Sequence, residues 1–296
     1  MFSLASLRYR SVMASHGGPI DWVESGEFPV CGRRLFQANA RLRPGLVPRG
    51  RAKLYHSSAD GTGAHASPMV ARHMAVSECL ERWAFHATVR SERRETFGFD
   101  VDETSNGMAA FPGLSAAPAR RSAVLESLER FCLLHWWEGR IDGQLRDTEW
   151  PGVSALAFEP PLGGVAVLLF ARSEWGFHVY GHAAAESFTR ACERAMLELT
   201  RHEWVLRNRL EALGNGTSEP LTERLEKRSW FFSTEAGHEL FRERLAQRCS
   251  MPAPRPRIIC DREVTGPWSE FATVWRFVLQ PPSRRFMEED ERYFFW

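Results

Sequence analysis

The sequence of 296 residues lacks most of the features that declare a function outright. It has no charge excess. Its 38 Lys and Arg stand against 37 Asp and Glu, so no strong field points at nucleic acid or an anionic membrane. It has no apolar run near the roughly 18 residues of a membrane span. The longest, "VAVLLFA" at 165–171, reads as a buried strand. The opening "MFSLASLRYRSVMA" has no long apolar core, which argues against a signal peptide. There is no C-x-x-C: Cys31, Cys79, Cys132, Cys192, Cys249 and Cys260 stand singly. In a chain this long, that pattern predicts reduced thiols in the cytoplasm rather than a disulfide frame or a zinc site. His65, His73, His86, His178 and His182 are scattered, no H-x3-H lies beside a third ligand type at zinc spacing, and His182 has at most a minor part at a substrate. No G-x-x-x-x-G-K-[ST] phosphate loop and no nucleophile elbow occur.

What is present is a mixture of helix and strand signals. Residues 1–50 are rich in Arg, Gly and Pro and read as an arm or lead-in segment before one large domain over 51–296. "ADGTGAHASP", 59–68, reads as a loop, and "FDVDETSNGMAAFPGLS" as a second loop with a short strand before it. Helical periodicity predicts helices over about 69–90, 117–137, 185–211 and 236–249. "SALAF", "GVAVLLFAR", "FHVYG", "RPRIIC" and "ATVWRFVLQ" read as strands. The irregular alternation predicts an α+β fold with mixed sheets and three glutamate-bearing helices. Buried helical positions are expected for Cys79, Cys132 and Cys192.

The first three helices share one stripe. Ala71, Ala75, Glu78 and Arg82 recur as Ala119, Ala123, Glu126 and Arg130, and again as Ala191, Ala195, Glu198 and His202. These offsets trace a single face, with alanines that admit a close neighbour and a carboxylate further along. Each helix follows a glycine: Gly61 and Gly63, then Gly107 after Asn106, then Gly181. One E-x-x-E-R taken alone is a solvated i,i+4 pair worth about 0.3–0.5 kcal/mol. Three aligned stripes are different. A close-packed face bearing Glu78, Glu81, Glu126 and Glu129 against Arg82 and Arg130 alone leaves excess negative charge, which a hard divalent cation neutralises. The constellation suggests a magnesium–nucleotide site built on helices.

"SADGTGAHASPMVARHMAVSECLERWA", "TSNGMAAFPGLSAAPARRSAVLESLERF" and "YGHAAAESFTRACERAMLELTRHE" resemble the three signature blocks of YcaO-domain proteins. The resemblance covers about residues 55–210 and, more weakly, "TVWRFVLQPP". It implies the nucleotide fold of that family, ATP and Mg²⁺ as cofactors, and ATP-dependent activation of backbone amides in a ribosomally made peptide. The leading expectation is cyclodehydration of Cys, Ser or Thr to azolines, with thioamide or amidine formation, or a non-catalytic scaffold subunit, as alternatives. By resemblance, Glu78, Glu81, Glu126 and Glu129 match the metal ligands. Asn106, Arg130 and Arg194 match nucleotide contacts, and Glu193 and Glu198 match acidic positions of the third block.

Arg201 stands where the family has glutamine, and Pro118 where it often has an acidic residue. Arg201 is expected either to touch the phosphates or to pair with Glu198 or Glu203 on the helix surface. The resemblance further implies a precursor-peptide substrate, a separate leader-peptide-binding partner and a dehydrogenase or other modifying subunit. Neither nucleic acid nor membrane is expected as a partner. "ERYFFW", 291–296, lacks the family's proline-rich tail. Its aromatics are expected to dock on this chain near "ATVWRFVL" or on a partner, the alternative being a Trp296 carboxylate at the nucleotide site.

Overall fold

The computed structural model describes residues 5–48, 59–113, 115–217, 220–252, 254–280 and 284–296. The boundary expected at 50 and the proline pair at 281–282 lie outside them. In chain order the elements are α1 (Ala5–Arg8), β1 (Ile20–Val30), β2 (Arg33–Leu42), β3 (Gly61–His65), α2 (Pro68–Thr88), β4 (Met108–Phe111), α3 (Ala117–Trp137), β5 (Gln144–Asp147), β6 (Val153–Phe158), β7 (Val165–Arg172), β8 (His178–Ala185), α4 (Phe188–Gly214), α5 (Arg224–Ser233), α6 (Glu235–Ala246), β9 (Arg257–Glu263) and β10 (Thr273–Gln280). They form three sheets, ordered β1-β2-β3, β4-β10-β9 and β5-β6-β7-β8. The fold is α+β.

The chain divides into two compact units. The first comprises 1–53, 57–127 and 258–280; the second comprises 54–56, 128–257 and 281–296. Helix α3 contributes its first half to one and its second half to the other.

In the first unit, β1 and β2 make a hairpin closed by Cys31 and Gly32, both at positive φ (46° and 73°), the backbone demanded by a tight two-residue turn. Ala38, Ala40 and Leu42 of β2 are fully buried. The segment read as a loop over 59–68 instead contains β3, antiparallel to β2 from Phe36↔His65 to Ala40↔Gly61. Its glycines are the reason. A Cβ on Gly61 would lie 2.3 Å from the Ala75 carbonyl oxygen, and one on Gly63 2.3 Å from that of Ala71. The glycine content that mimics a loop is here a strand pressed against α2. The second expected loop likewise holds β4, paired with β10 over Thr273↔Phe111 to Arg276↔Met108; the short strand expected before it is absent, and a single 3₁₀ turn occupies 95–97.

The second unit repeats the device. A Cβ on Gly181 of β8 would meet the Ala195 carbonyl oxygen at 2.2 Å. Ala195 lies fourteen positions after Gly181, as Ala75 lies after Gly61. All six stripe alanines are 0–1% exposed. Helix α4 starts at Phe188 rather than 185, because Ala183–Ala185 continue β8 opposite Val165–Val167 and Ser187 caps the helix by accepting from the Arg190 N–H. Helix α5 escaped the sequence reading: Glu226, Arg228 and Ser229 are buried in it, so its inward face is not apolar.

The C-terminal aromatics dock on their own chain, within the second unit. Tyr293, Phe294 and Phe295 are at most 1% exposed. Phe294 packs on Trp136, Trp137, Tyr180, Phe232 and Phe241 at 4.9–6.0 Å between ring centroids. Arg228, fully buried, holds the segment by donating to the carbonyls of Phe286, Glu288, Asp290 and Phe295.

Two stability effects follow. Phe294→Ala removes a fully enclosed ring and should cost about 3–5 kcal/mol, read as a lowered denaturant midpoint. Gly181→Ala should cost about 1–3 kcal/mol, because the helix backbone has no room to retreat; urea unfolding of the variant measures it.

Candidate functional site

Helix α2 opens on Pro68, suited to a first turn that needs no N–H partner. Its close seat on β3 places Glu78 beside the strand, where Oε2 accepts from the Thr62 N–H at 2.9 Å and from the Thr62 hydroxyl at 3.2 Å. Oε1 of Glu78 meets the half-exposed Arg82 at 3.3 Å. One turn on, Glu81 is pushed well above the ordinary glutamate range. Burial contributes most, then the negative charges of Glu126 and Glu78; Arg82 and Arg276 oppose the shift. Glu78 and Glu126, both of the first unit, are therefore each near enough to repel Glu81. Asn106 sits half-buried in the loop before β4, its carbonyl accepting from Arg276 at 3.1 Å.

The second unit gathers a different set. Glu129 Oε1 lies 2.7 Å from His182 Nδ1, with both side chains mostly buried. Burial pushes Glu129 up, but His182, Arg130 and Arg194 outweigh it and hold the carboxyl below its ordinary range. The Arg130 guanidinium lies over the Phe295 ring, 4.1 Å from its centroid, and the same ring stacks on His182 at 4.9 Å. Arg194 donates to the Ala184 carbonyl at 3.0 Å. Three other expected positions are engaged on the helix surface: Glu193 with Arg190 at 2.9 Å, and Glu198 with Arg201 at 2.7 Å.

The oxygen-only donor set of Glu78, Glu81 and Glu126 suits a hard divalent cation. Glu126 and Glu78 press on Glu81 against the opposing pull of Arg82 and Arg276, and a bound cation would relieve that repulsion. Among the described residues, no group of three or more His, Cys, Asp or Glu side chains is placed so that it could hold a metal ion as it stands. No described helix is long and apolar enough to cross a membrane.

Sequence reasoning missed Thr62 and Arg276 and gave His182 only a marginal part. Thr62 was hidden because β3 was read as loop. Arg276 carried a signal, a lone cation in the apolar run "TVWRFVLQ", where an unpaired charge is costly.

No family model matches the sequence, and no curated protein matches it. Solved structures do. The structure of YcaO from Methanopyrus kandleri bound with AMPPCP and Mg²⁺ superposes with a TM-score of 0.55 at 17% identity, covering 98% of this chain and 92% of that one. The chain has the YcaO fold. A chain of the E. coli microcin synthetase McbBCD complex with pro-MccB17 bound is also similar, at TM-score 0.54 and 12% identity over 87% of each chain. The fold implied by the three sequence blocks is thus the fold observed.

The raised Glu81 pKa has a measurable consequence. Above the ordinary glutamate pKa of about 4.3 the unfolded chain releases a proton that folded Glu81 keeps, so stability is lost as pH rises through that window. Glu81→Gln should lose less thermal stability than wild type between pH 5 and pH 8, as melting curves across that range would show.

Proposed function

We propose that this chain is a YcaO-type enzyme that uses ATP to activate a backbone amide of a peptide. The observation that carries the reading is the approach of Glu126 and Glu78 to Glu81 in one unit of a YcaO fold, which with burial holds the Glu81 carboxyl well above its ordinary range. In this reading Glu78, Glu81, Glu126 and Glu129 hold Mg²⁺, and Asn106, Arg130, Arg194 and Arg201 contact the nucleotide. Glu193 and Glu198 take part at the acidic positions of the third block. Bound Mg²⁺ would neutralise phosphate charge during transfer. The similar YcaO structure holding AMPPCP and Mg²⁺ supports this assignment of cofactors.

The chemistry proposed is cyclodehydration. A Cys thiol or a Ser or Thr hydroxyl gives up its proton to solvent and attacks the preceding amide carbonyl, forming a C–S or C–O bond and, as the carbonyl π bond opens, an oxyanion. That oxygen takes the γ-phosphoryl group of ATP, releasing ADP, and then leaves as inorganic phosphate while the amide nitrogen loses its proton and forms the C=N bond of the azoline. The arginines stabilise charge on the transferring group. The same activation would serve thioamide formation from sulfide or amidine closure by an amine. The similarity to a synthetase complex with its pro-peptide bound supports a precursor-peptide substrate and partner subunits, here including a leader-binding protein and a dehydrogenase or other modifying subunit. A cytoplasmic setting agrees with six cysteines that form no disulfide.

Calorimetry with Mg²⁺ and ATP should show binding by wild type and a loss of at least tenfold, about 1.4 kcal/mol, in Glu126→Gln. Equal binding by the two would place the site elsewhere. Peptide-dependent phosphate release, assayed with the partner protein present, separates an enzyme from a scaffold. Arg201→Gln should change the KM for ATP; an unchanged value would leave Arg201 to its surface pairing with Glu198.

A further inference from the structure

Arg276 lies at the centre of β10 and is completely buried. A guanidinium in such a place ordinarily meets a carboxylate. This one spends its donors on backbone instead. Nε donates to the Phe97 carbonyl at 3.0 Å, Nη1 to those of Thr104 at 2.7 Å and Asn106 at 3.1 Å, and Nη2 to that of Asp102 at 2.7 Å. The ring of Phe99 lies beneath its Cζ at 3.9 Å. Four carbonyls and one ring of a single segment, 97–106, thus converge on one side chain. The segment also folds on itself: Asp102 Oδ1 accepts from the Thr104 N–H and hydroxyl, and the Thr104 hydroxyl accepts from the Asn106 N–H.

The next residue closes the arrangement. Gly107 has φ of 72°, and a Cβ there would lie 2.0 Å from the Phe277 carbonyl oxygen. Its own carbonyl accepts from the Phe277 N–H at 2.7 Å, while Ser127 of α3 donates to the Phe277 carbonyl at 2.6 Å. Residue 106 is therefore fixed from behind by Arg276 and from ahead by the Gly107–Phe277 contact. Its side-chain amide makes no hydrogen bond among the described residues. The backbone is committed and the carboxamide is not.

We propose that Arg276 is a positioning residue: it presets the 97–106 loop so that the Asn106 carboxamide is presented to ligand without a folding step at binding. This rests on the proposed nucleotide-contacting role of Asn106. A fork of five N–H donors is needed to gather four carbonyls, and lysine, with three donors at a point, cannot match it. Preorganisation of this kind strengthens binding by removing an ordering cost rather than by adding a contact.

The test is a double-mutant cycle on the full chain, with Mg²⁺ and AMPPCP as the probe and the dissociation constant as the readout. Arg276→Lys and Asn106→Ala should each weaken binding about tenfold, the size of one lost hydrogen bond. The double variant should be little worse than Asn106→Ala alone, because the loop no longer has a carboxamide to present. Multiplying losses would overturn the proposal. So would tight binding by Arg276→Lys.

Backbone hydrogen exchange on wild type supplies a readout that survives an unfolded variant. Amides of 99–106 should be protected before any nucleotide is added and gain little when it is. Free exchange that becomes protected only with Mg²⁺–AMPPCP would show the loop to be ordered by the ligand and would overturn the proposal. Should wild type fail to bind the probe while its loop is already protected, the nucleotide reading fails and the clamp stands.

Discussion

The architecture depends on how closely two helices lie on their strands. Gly61 and Gly63 face the backbone of α2, and Gly181 faces that of α4, with no space for even a methyl group. Alanines on the helix side complete the contact. At that separation a helix carboxylate reaches the strand backbone, as Glu78 does at Thr62. Were α2 a side chain further away, Glu78 would lose those two donors and the carboxylates of Glu78 and Glu81 would move toward solvent. The small residues thus determine the electrostatics, although none of them is charged.

Buried arginines form the second layer of organisation. Arg228, Arg244 and Arg276 each bind several main-chain carbonyls rather than a carboxylate. Each also lies beside an aromatic ring: Arg228 by Tyr293, Arg244 by Trp136 and Arg276 by Phe99. Burial outweighs the nearby carboxylates, Asp102, Glu126 and Glu81 for Arg276 and Asp290 and Glu289 for Arg228, and pulls both arginines down to about 10. Both remain protonated at neutral pH. This device suits irregular segments, which have carbonyls that no helix or sheet satisfies. The 286–295 and 97–106 stretches are of that kind.

Much of this was legible in the sequence, and the misses share causes. The α3 limits follow directly from periodicity, and the stripe alanines marked buried positions on α2, α3 and α4, although Glu198 of the third stripe is exposed. The three signature blocks implied the fold. What the sequence obscured was β3, since two glycines in five residues score as a loop until the partner helix is known. Local pattern also could not reveal α5, whose inner face carries Glu226 and Arg228. The pairing of Glu129 with His182 is 53 positions apart and had no local signature. Arg276 was visible as an anomaly but not as a clamp, because its partners are carbonyls, which every residue has.

The division of the chain has a kinetic consequence. The first unit draws its strands β9 and β10 from 258–280, after the whole of 128–257 has been laid down in the other unit. Sheet β4-β10-β9 can therefore close only across a loop of more than a hundred residues, which makes its contact order high and its formation slow. Until β10 arrives, β4 presents an unpaired edge, and the 97–106 segment has neither the guanidinium nor the Phe277 backbone that holds it. A nascent chain at that stage would expose a sticky strand for the time needed to translate residues 128–257 of the second unit and the first strand after them, a window in which a chaperone or a partner subunit would find its easiest hold.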